Sequence, residues 1–90
     1  MNKPQWLDRS RIKQSLDARP LLAEGIHPLE RVLQEAATLN PGEIYEIITP
    51  FPPMPMLEKL EAAGFESFSE QVEAMFHTYF KKKRGSEVAR

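Results

Sequence analysis

Residues 28–49 read PLERVLQEAATLNPGEIYEIIT, and this segment predicts a helix followed by a strand. Pro28 suits the first turn of a helix, because that position needs no amide hydrogen. The short apolar run over residues 43–49 is rich in isoleucine and predicts a strand. The helix before it is predicted by apolar side chains at the i, i+3, i+4 and i+7 positions of one face, namely Leu29, Val32, Leu33 and Ala36.

The flanking segments extend this helix–strand unit in both directions. Residues 12–19 suit a first strand, and residues 23–26 suit a loop that leads into the helix. Four of the six residues over 50–55 are prolines, which predicts a stiff loop. Pro55 suits the start of a second helix that ends at Gly64. We expect the apolar stripe of that helix to consist of Met56, Leu57, Leu60 and Ala63.

The last third of the chain permits two interpretations. Ser67 and Glu70 have capping-box spacing, and the apolar residues that follow recur at helical spacing up to the lysine run. This local pattern favours a helix over residues 69–82. The alternative is a hairpin of residues 66–72 and 76–82, although its turn at Glu73-Ala74 lacks a strong turn signal.

Composition limits the classes of function. The chain has 90 residues, 41% hydrophobic content and a formal net charge of −1, which suggests one globular domain and argues against nucleic-acid binding. We expect an N-terminal arm at 1–12, a domain at 13–84 and a tail at 85–90. No apolar run approaches the roughly 20 residues of a membrane span, and no secretory signal is visible, so we expect no membrane association and a cytoplasmic location. The chain has no cysteine, which excludes disulfides and persulfide chemistry.

Several short sequence motifs, taken together, resemble the TusA/SirA-like sulfur-carrier superfamily over residues 13–83. They are Leu16-Asp17-x-Arg19-x-Leu21, His27-Pro28 where the carriers have Cys-Pro, Asn40-Pro41-Gly42-Glu43 before the second strand, and Gly64-Phe65 before the third. The chain is most similar to the cysteine-less branch, a bacterial domain of unknown function. The resemblance implies an α+β two-layer sandwich of order β-α-β-α-β-β, with a four-stranded mixed sheet and two helices on one face. It also implies that the last third is a hairpin.

The same resemblance excludes the sulfur-carrier reaction, because an imidazole at His27 cannot carry a persulfide. Cysteine-less relatives carry a second histidine in a H-x-P-x-P-L element, and Phe51 stands at that place here. No nucleophile–base set or glycine-rich phosphate loop is visible, so we do not expect an enzyme. His77 is interpreted as an ordinary strand histidine without a link to His27.

Two functions remain open from the sequence. The first is a non-enzymatic module that binds an unknown protein partner, and possible homodimerisation belongs to the same class. The second is a metal- or haem-associated redox accessory domain in which His27 is a ligand beside the methionines. Under a third interpretation the prolines only position the second helix, with Phe51 and Met56 in the core. The residues expected to bind a partner are His27, Pro28, Phe51, Pro53, Met54 and Met56.

Overall fold

The computed structural model describes residues 3–83 of the chain. In that range the chain forms four strands, three helices and a short 3-10 turn at Arg9–Arg11. The strands are β1 (Ile12–Asp17), β2 (Ile44–Thr49), β3 (Phe65–Val72) and β4 (Met75–Lys82), and the helices are α1 (Arg19–Ala23), α2 (Leu29–Ala36) and α3 (Met54–Ala62).

The strands form one mixed sheet in the order β1-β2-β4-β3. β1 and β2 are parallel, whereas β4 is antiparallel to both of its neighbours. The predicted α+β class and four-stranded mixed sheet are therefore confirmed. The prediction of two helices is wrong, because α1 is a third helix between β1 and α2.

α1 exists because the chain turns away from the sheet earlier than the pattern predicted. β1 ends at Asp17 rather than at Arg19. The Asp17 carboxylate accepts a hydrogen bond from the Arg19 backbone amide at 3.1 Å, and Pro20 occupies the first helical turn. Proline has no amide hydrogen for a strand ladder but fits the start of a helix. A five-residue helix is too short to show an apolar period in sequence.

The main core lies between one face of the sheet and the helices. Tyr45 and Ile47 of β2 and Phe80 of β4 share that face and are fully buried. The Tyr45 and Phe80 rings are stacked, with centroids 5.0 Å apart. The buried side chains of α2 and α3 belong to the same cluster, which includes Val32, Ala36, Met56 and Leu60. Ala63 is exposed, so the predicted stripe of α3 ends at Leu60.

The last third is a hairpin, as the family resemblance implied, and the helix favoured by the local pattern is wrong. β3 and β4 are paired from Phe65 opposite Lys82 to Val72 opposite Met75. The turn between them contains Glu73 in the left-handed region, with φ 59°. An i, i+4 spacing, which appears helical in sequence, also keeps two residues on one face of a strand, because four is a multiple of two. β4 is covered on both faces, which explains its apolar composition.

α2 and α3 both begin at the end of the sheet where β1 and β2 finish. Two hydrogen bonds hold the residues that follow these helices, Ala37 and Gly64, at the opposite end of the sheet. Lys82 Nζ donates to the carbonyl oxygen of Ala37 at 3.1 Å, and the Lys83 amide donates to the carbonyl oxygen of Gly64 at 2.8 Å. Lys82 lies at the far end of β4, so the loops before α2 and α3 share the carboxyl end of the parallel strands.

The described part of the N-terminal arm, residues 3–11, contacts the sheet face that carries no helix. The Arg9 guanidinium lies 5.8 Å from the centroid of the Tyr79 ring, and Lys81 Nζ lies 5.5 Å from that of Trp6. Arg9 also forms an ion pair with Glu70 at 3.6 Å. The arm therefore covers part of the second face and helps to bury Tyr79.

Candidate functional site

The two sheet ends differ in what they expose. Besides the loops before α2 and α3, the tip of the β3–β4 hairpin lies at the carboxyl end of the parallel strands, because Thr49 at the end of β2 is paired with Phe76. Val72 and Met75 form the adjacent pair at that tip. Three separate connections thus meet at one end of the sheet.

This end carries the exposed large apolar side chains of residues 3–83. Each is 43–57% exposed, although a large apolar side chain is usually covered in a small domain. We call this set the apolar end; it consists of Ile26 (47%), Phe51 (48%), Met54 (57%) and Val72 (43%). The sequence drew attention to two of the four, Phe51 and Met54.

The loop between β2 and α3 holds Phe51 and Met54 outward. The Thr49 hydroxyl donates to the Phe51 carbonyl oxygen at 2.7 Å, which closes the turn after β2. Pro53 is buried beside the start of α3, and its carbonyl oxygen accepts from the Leu57 amide at 3.0 Å. The proline-rich loop is anchored at both ends, so the two exposed side chains stand on a stiff support.

The residues predicted to bind a partner divide into exposed and buried groups. His27, Phe51 and Met54 are exposed at the same end of the sheet. The buried group cannot contact a partner in this conformation and instead packs the helix starts against the domain; it consists of Pro28, Pro53 and Met56. The interpretation that places both Phe51 and Met56 in the core is right for Met56 and wrong for Phe51.

His27 lies in the loop directly before α2. No hydrogen bond or ion pair joins its ring to another described residue. Within residues 3–83, no group of three or more His, Cys, Asp or Glu side chains is arranged to hold a metal ion. A ligand role for His27 toward a metal or haem stays a prediction.

The carboxyl end of β1 carries one tight ion pair. Arg19 Nη2 lies 2.6 Å from Asp17 Oδ2, and the Arg19 Nε donates to the same carboxylate at 3.0 Å. These hydrogen bonds hold the pKa of Asp17 below its usual value. Both groups are in contact with solvent, so the pair contributes little to stability. Its main effect is to neutralise the charge of Arg19.

A polar cluster on the helix-free face was not found by sequence reasoning. The Ser15 hydroxyl donates to Glu46 Oε1 at 2.9 Å, and His77 Nδ1 lies 2.7 Å from Glu46 Oε2. The carboxylate is between the hydroxyl and the imidazole, so His77 cannot take a proton from Ser15 as a serine hydrolase requires. The cluster therefore joins β1, β2 and β4. Its sequence signal is Glu46, the single charged residue of β2.

A second hydrogen-bond cluster fixes α2 to the sheet. The Tyr45 hydroxyl and Gln14 Nε2 both donate to Glu35 Oε1, while Arg31 Nε donates to Glu35 Oε2 at 3.0 Å. The bond from Tyr45 is the main cause of a lowered Glu35 pKa, and burial raises the pKa of Tyr45 well above its usual value. The phenol therefore stays protonated and remains a donor.

A cleft of about 730 Å³ lies between the arm and the other end of the sheet. Its wall includes Trp6 and three cations, of which Arg11 contacts Asp8 at 3.8 Å and Lys81 contacts Glu66 at 3.1 Å. The third is Lys82, which donates to a backbone carbonyl. Arg11 and Lys81 are therefore paired with carboxylates, whereas Lys82 keeps its positive charge because its partner is a neutral carbonyl.

Comparison with protein-family models, with curated proteins and with solved structures gave no match to this chain. Over residues 3–83, no helix has the length and apolar character that crossing a membrane would require.

Proposed function

We propose that this chain is a non-enzymatic protein-binding module that docks a partner protein through the apolar end. The observation that carries the proposal is that the exposed large apolar side chains of the described chain all lie at one end of the sheet. Single apolar residues scattered over a surface are ordinary, whereas several at one end of a domain are typical of an interaction site. Ile26, Phe51 and Met54 lie at the starts of α2 and α3, and Val72 lies at the hairpin tip on the helix-free face, the face of Glu70.

The support beneath the apolar end favours binding. Phe51 lies in the proline-rich loop and Met54 is the first residue of α3, and both are supported by the Thr49 hydrogen bond and by buried Pro53. A stiff loop loses little conformational entropy when a partner covers it. More of the gain from burying these side chains is then available for affinity.

The area of Phe51 sets the scale of its contribution. A phenylalanine side chain offers roughly 200 Å², so an exposure of 48% leaves about 100 Å² that a partner can cover. At about 25 cal/mol per Å², complete burial contributes about 2.5 kcal/mol before the costs of association. We therefore expect Phe51→Ala to weaken partner binding at least tenfold, which corresponds to about 1.4 kcal/mol.

Site-specific photo-crosslinking tests the proposal. A photoreactive side chain is placed at Phe51, or at Gln34 as a control, because Gln34 is exposed on α2 away from the apolar end. In cells that naturally produce the chain, we expect a discrete crosslinked protein from position 51 and none from position 34. Excess unmodified domain should abolish the crosslink, and excess Phe51→Ala, Met54→Ala domain should not. Equal competition by both domains would remove the apolar end from the binding function.

We also propose that the chain is a TusA-like domain that has lost sulfur chemistry. Support comes from the four-stranded mixed sheet with its C-terminal hairpin, and from the place of His27-Pro28, directly before α2 at the carboxyl end of β1. A His27→Cys variant tests it, with Thr38→Cys, at an exposed position after α2, as control. In polysulfide the cysteine thiolate forms a persulfide and releases a shorter polysulfide. Faster reaction at position 27 supports a retained carrier geometry, and equal rates contradict it.

A further inference from the structure

Three carboxylates share the carboxyl end of the parallel strands with the apolar end. Glu24 follows α1, Glu30 is in the first turn of α2, and Glu73 is in the hairpin turn. All three are exposed, and none has an ion-pair partner among residues 3–83. Two arginines lie near these carboxylates, and both already have a partner: Arg19 of the β1–α1 junction is bound by Asp17, and Arg31 of the first turn of α2 is bound by Glu35. This end therefore combines apolar side chains with uncompensated negative charge.

The described lysines lie elsewhere. Four of them lie at the opposite end of the sheet: Lys13 at the start of β1, Lys81 and Lys82 at the end of β4, and Lys83 directly after β4. Lys3 contacts Glu70 from the arm, and Lys59 is in the second half of α3. The apolar end has no lysine to balance its carboxylates.

From this combination, and resting on the proposed function, we infer that the apolar end binds a basic amphipathic segment of a partner protein. The apolar residues of such a segment would cover Phe51 and Met54, and its lysines or arginines would face Glu24, Glu30 and Glu73. Charges at the rim of an interface act mainly on the choice of partner and on the association rate, while buried apolar contacts supply affinity.

Two other occupants fit less well. The four exposed side chains offer on the order of 350 Å², whereas a stable dimer buries about 800 Å² from each partner. A second copy would also bring like charges together. An anionic membrane surface attracts basic residues and repels carboxylates, so the sign of the charge at this end is opposite to what such a surface requires.

Peptide binding distinguishes these cases. Three synthetic helical peptides share one leucine face and differ only on the polar face, which carries lysine, glutamine or glutamate. We expect the lysine peptide to bind about tenfold more tightly than the glutamate peptide at low salt, with a smaller ratio at ~0.5 M salt because screening is stronger. The Phe51→Ala, Met54→Ala variant should weaken all three peptides at least tenfold.

The charge variant separates the inference from the proposed function. Glu24→Gln, Glu30→Gln, Glu73→Gln changes only exposed side chains and should bind the three peptides with similar affinity. If the glutamine peptide binds the wild-type domain as tightly as the lysine peptide does, the apolar end still binds a partner, but the inference that the partner is basic is overturned. If no peptide depends on Phe51 and Met54, the proposed use of the apolar end fails as well. Self-association of the free chain, or sedimentation with phosphatidylglycerol vesicles that depends on Phe51, would overturn the inference in favour of another occupant.

Discussion

Tyr45→Phe removes the hydroxyl that joins the sheet to α2, and we predict that it lowers the free energy of unfolding by about 1.5 kcal/mol at pH 7. Tyr45 is fully buried, and its hydroxyl donates to Glu35 Oε1. Phenylalanine fills nearly the same volume, so stacking on Phe80 is kept. The substitution therefore measures the hydrogen bond and leaves the packing of the core in place.

The magnitude follows from the surroundings of Glu35. A hydrogen bond to a charged acceptor contributes about 1.5–3 kcal/mol. The Glu35 side chain is 26% exposed, so water can replace part of the lost interaction. Gln14 and Arg31 continue to donate to the carboxylate in the variant. These compensations place the expected loss at the lower limit of the range.

The effect should depend on pH in a defined direction. The Tyr45 hydrogen bond is the main cause that lowers the Glu35 pKa below its ordinary 4.5. A carboxyl whose pKa is lower in the folded state stabilises the fold above the unfolded value, and the contribution is lost as pH falls through the folded value. Tyr45→Phe removes most of this shift, so its stability should approach that of wild type in acid.

Urea unfolding followed by far-UV circular dichroism at pH 7 and pH 3 measures both effects. Tyr79→Phe is the matched control, because Tyr79 is also buried but its hydroxyl lies 3.3 Å from Glu70 on the other face of the sheet. The control should lose less than Tyr45→Phe at pH 7. Equal losses in the two variants, or a Tyr45→Phe loss that is the same at both pH values, would show that the hydrogen bond to Glu35 does not supply this stability.

Three further outcomes are expected. Leu60→Ala should lower the free energy of unfolding, measured in urea, by about 2–5 kcal/mol because Leu60 is fully buried. The control Lys59→Ala changes an exposed neighbour and should lower it by less than about 0.5 kcal/mol, so similar losses would contradict the described core. Glu73→Gly should stabilise the fold by about 0.5 kcal/mol and raise the urea midpoint, because glycine adopts a φ of 59° without strain. The control Ala74→Gly should lower the midpoint, and a lower midpoint in both variants would show that the turn is not strained at Glu73. Arg9→Ala should increase acrylamide quenching of the arm's tryptophan, the single one in the chain, and unchanged quenching would show that Arg9 does not hold the arm.

α2, α3 and β2 could be predicted because one pattern dominates locally in each of them. The apolar stripe from Leu29 to Ala36 lies within α2, although the helix ends at Ala36, before the stop signal Asn40-Pro41-Gly42 that the sequence offers, and the apolar run before Thr49 is β2. α1 was missed because a carboxylate–amide contact at Asp17 and a proline start it, and neither produces a periodicity. The hairpin was hidden because residues such as Phe76 and Phe80 share a face at a spacing that helices also use.

The candidate site could be predicted only in part, because its members come from distant segments. Phe51 and Met54 stand out in sequence as apolar residues among prolines. Val72 joins them only because β4 lies between β2 and β3, which carries the hairpin tip to the same end. The contact of Glu46 with His77 requires the β2–β4 register, which residue types alone do not determine.

The position of β4 fixes the order in which this chain can fold during synthesis. β4 joins β2 to β3, so residues 75–82 complete the middle of the sheet although they are the last of its strands to leave the ribosome. Until they emerge, β3 has no strand beside it and the parallel pair β1–β2 lacks its antiparallel neighbour. A nascent chain stalled before residue 75 should remain sensitive to protease, and resistance should arise in one step once β4 is released.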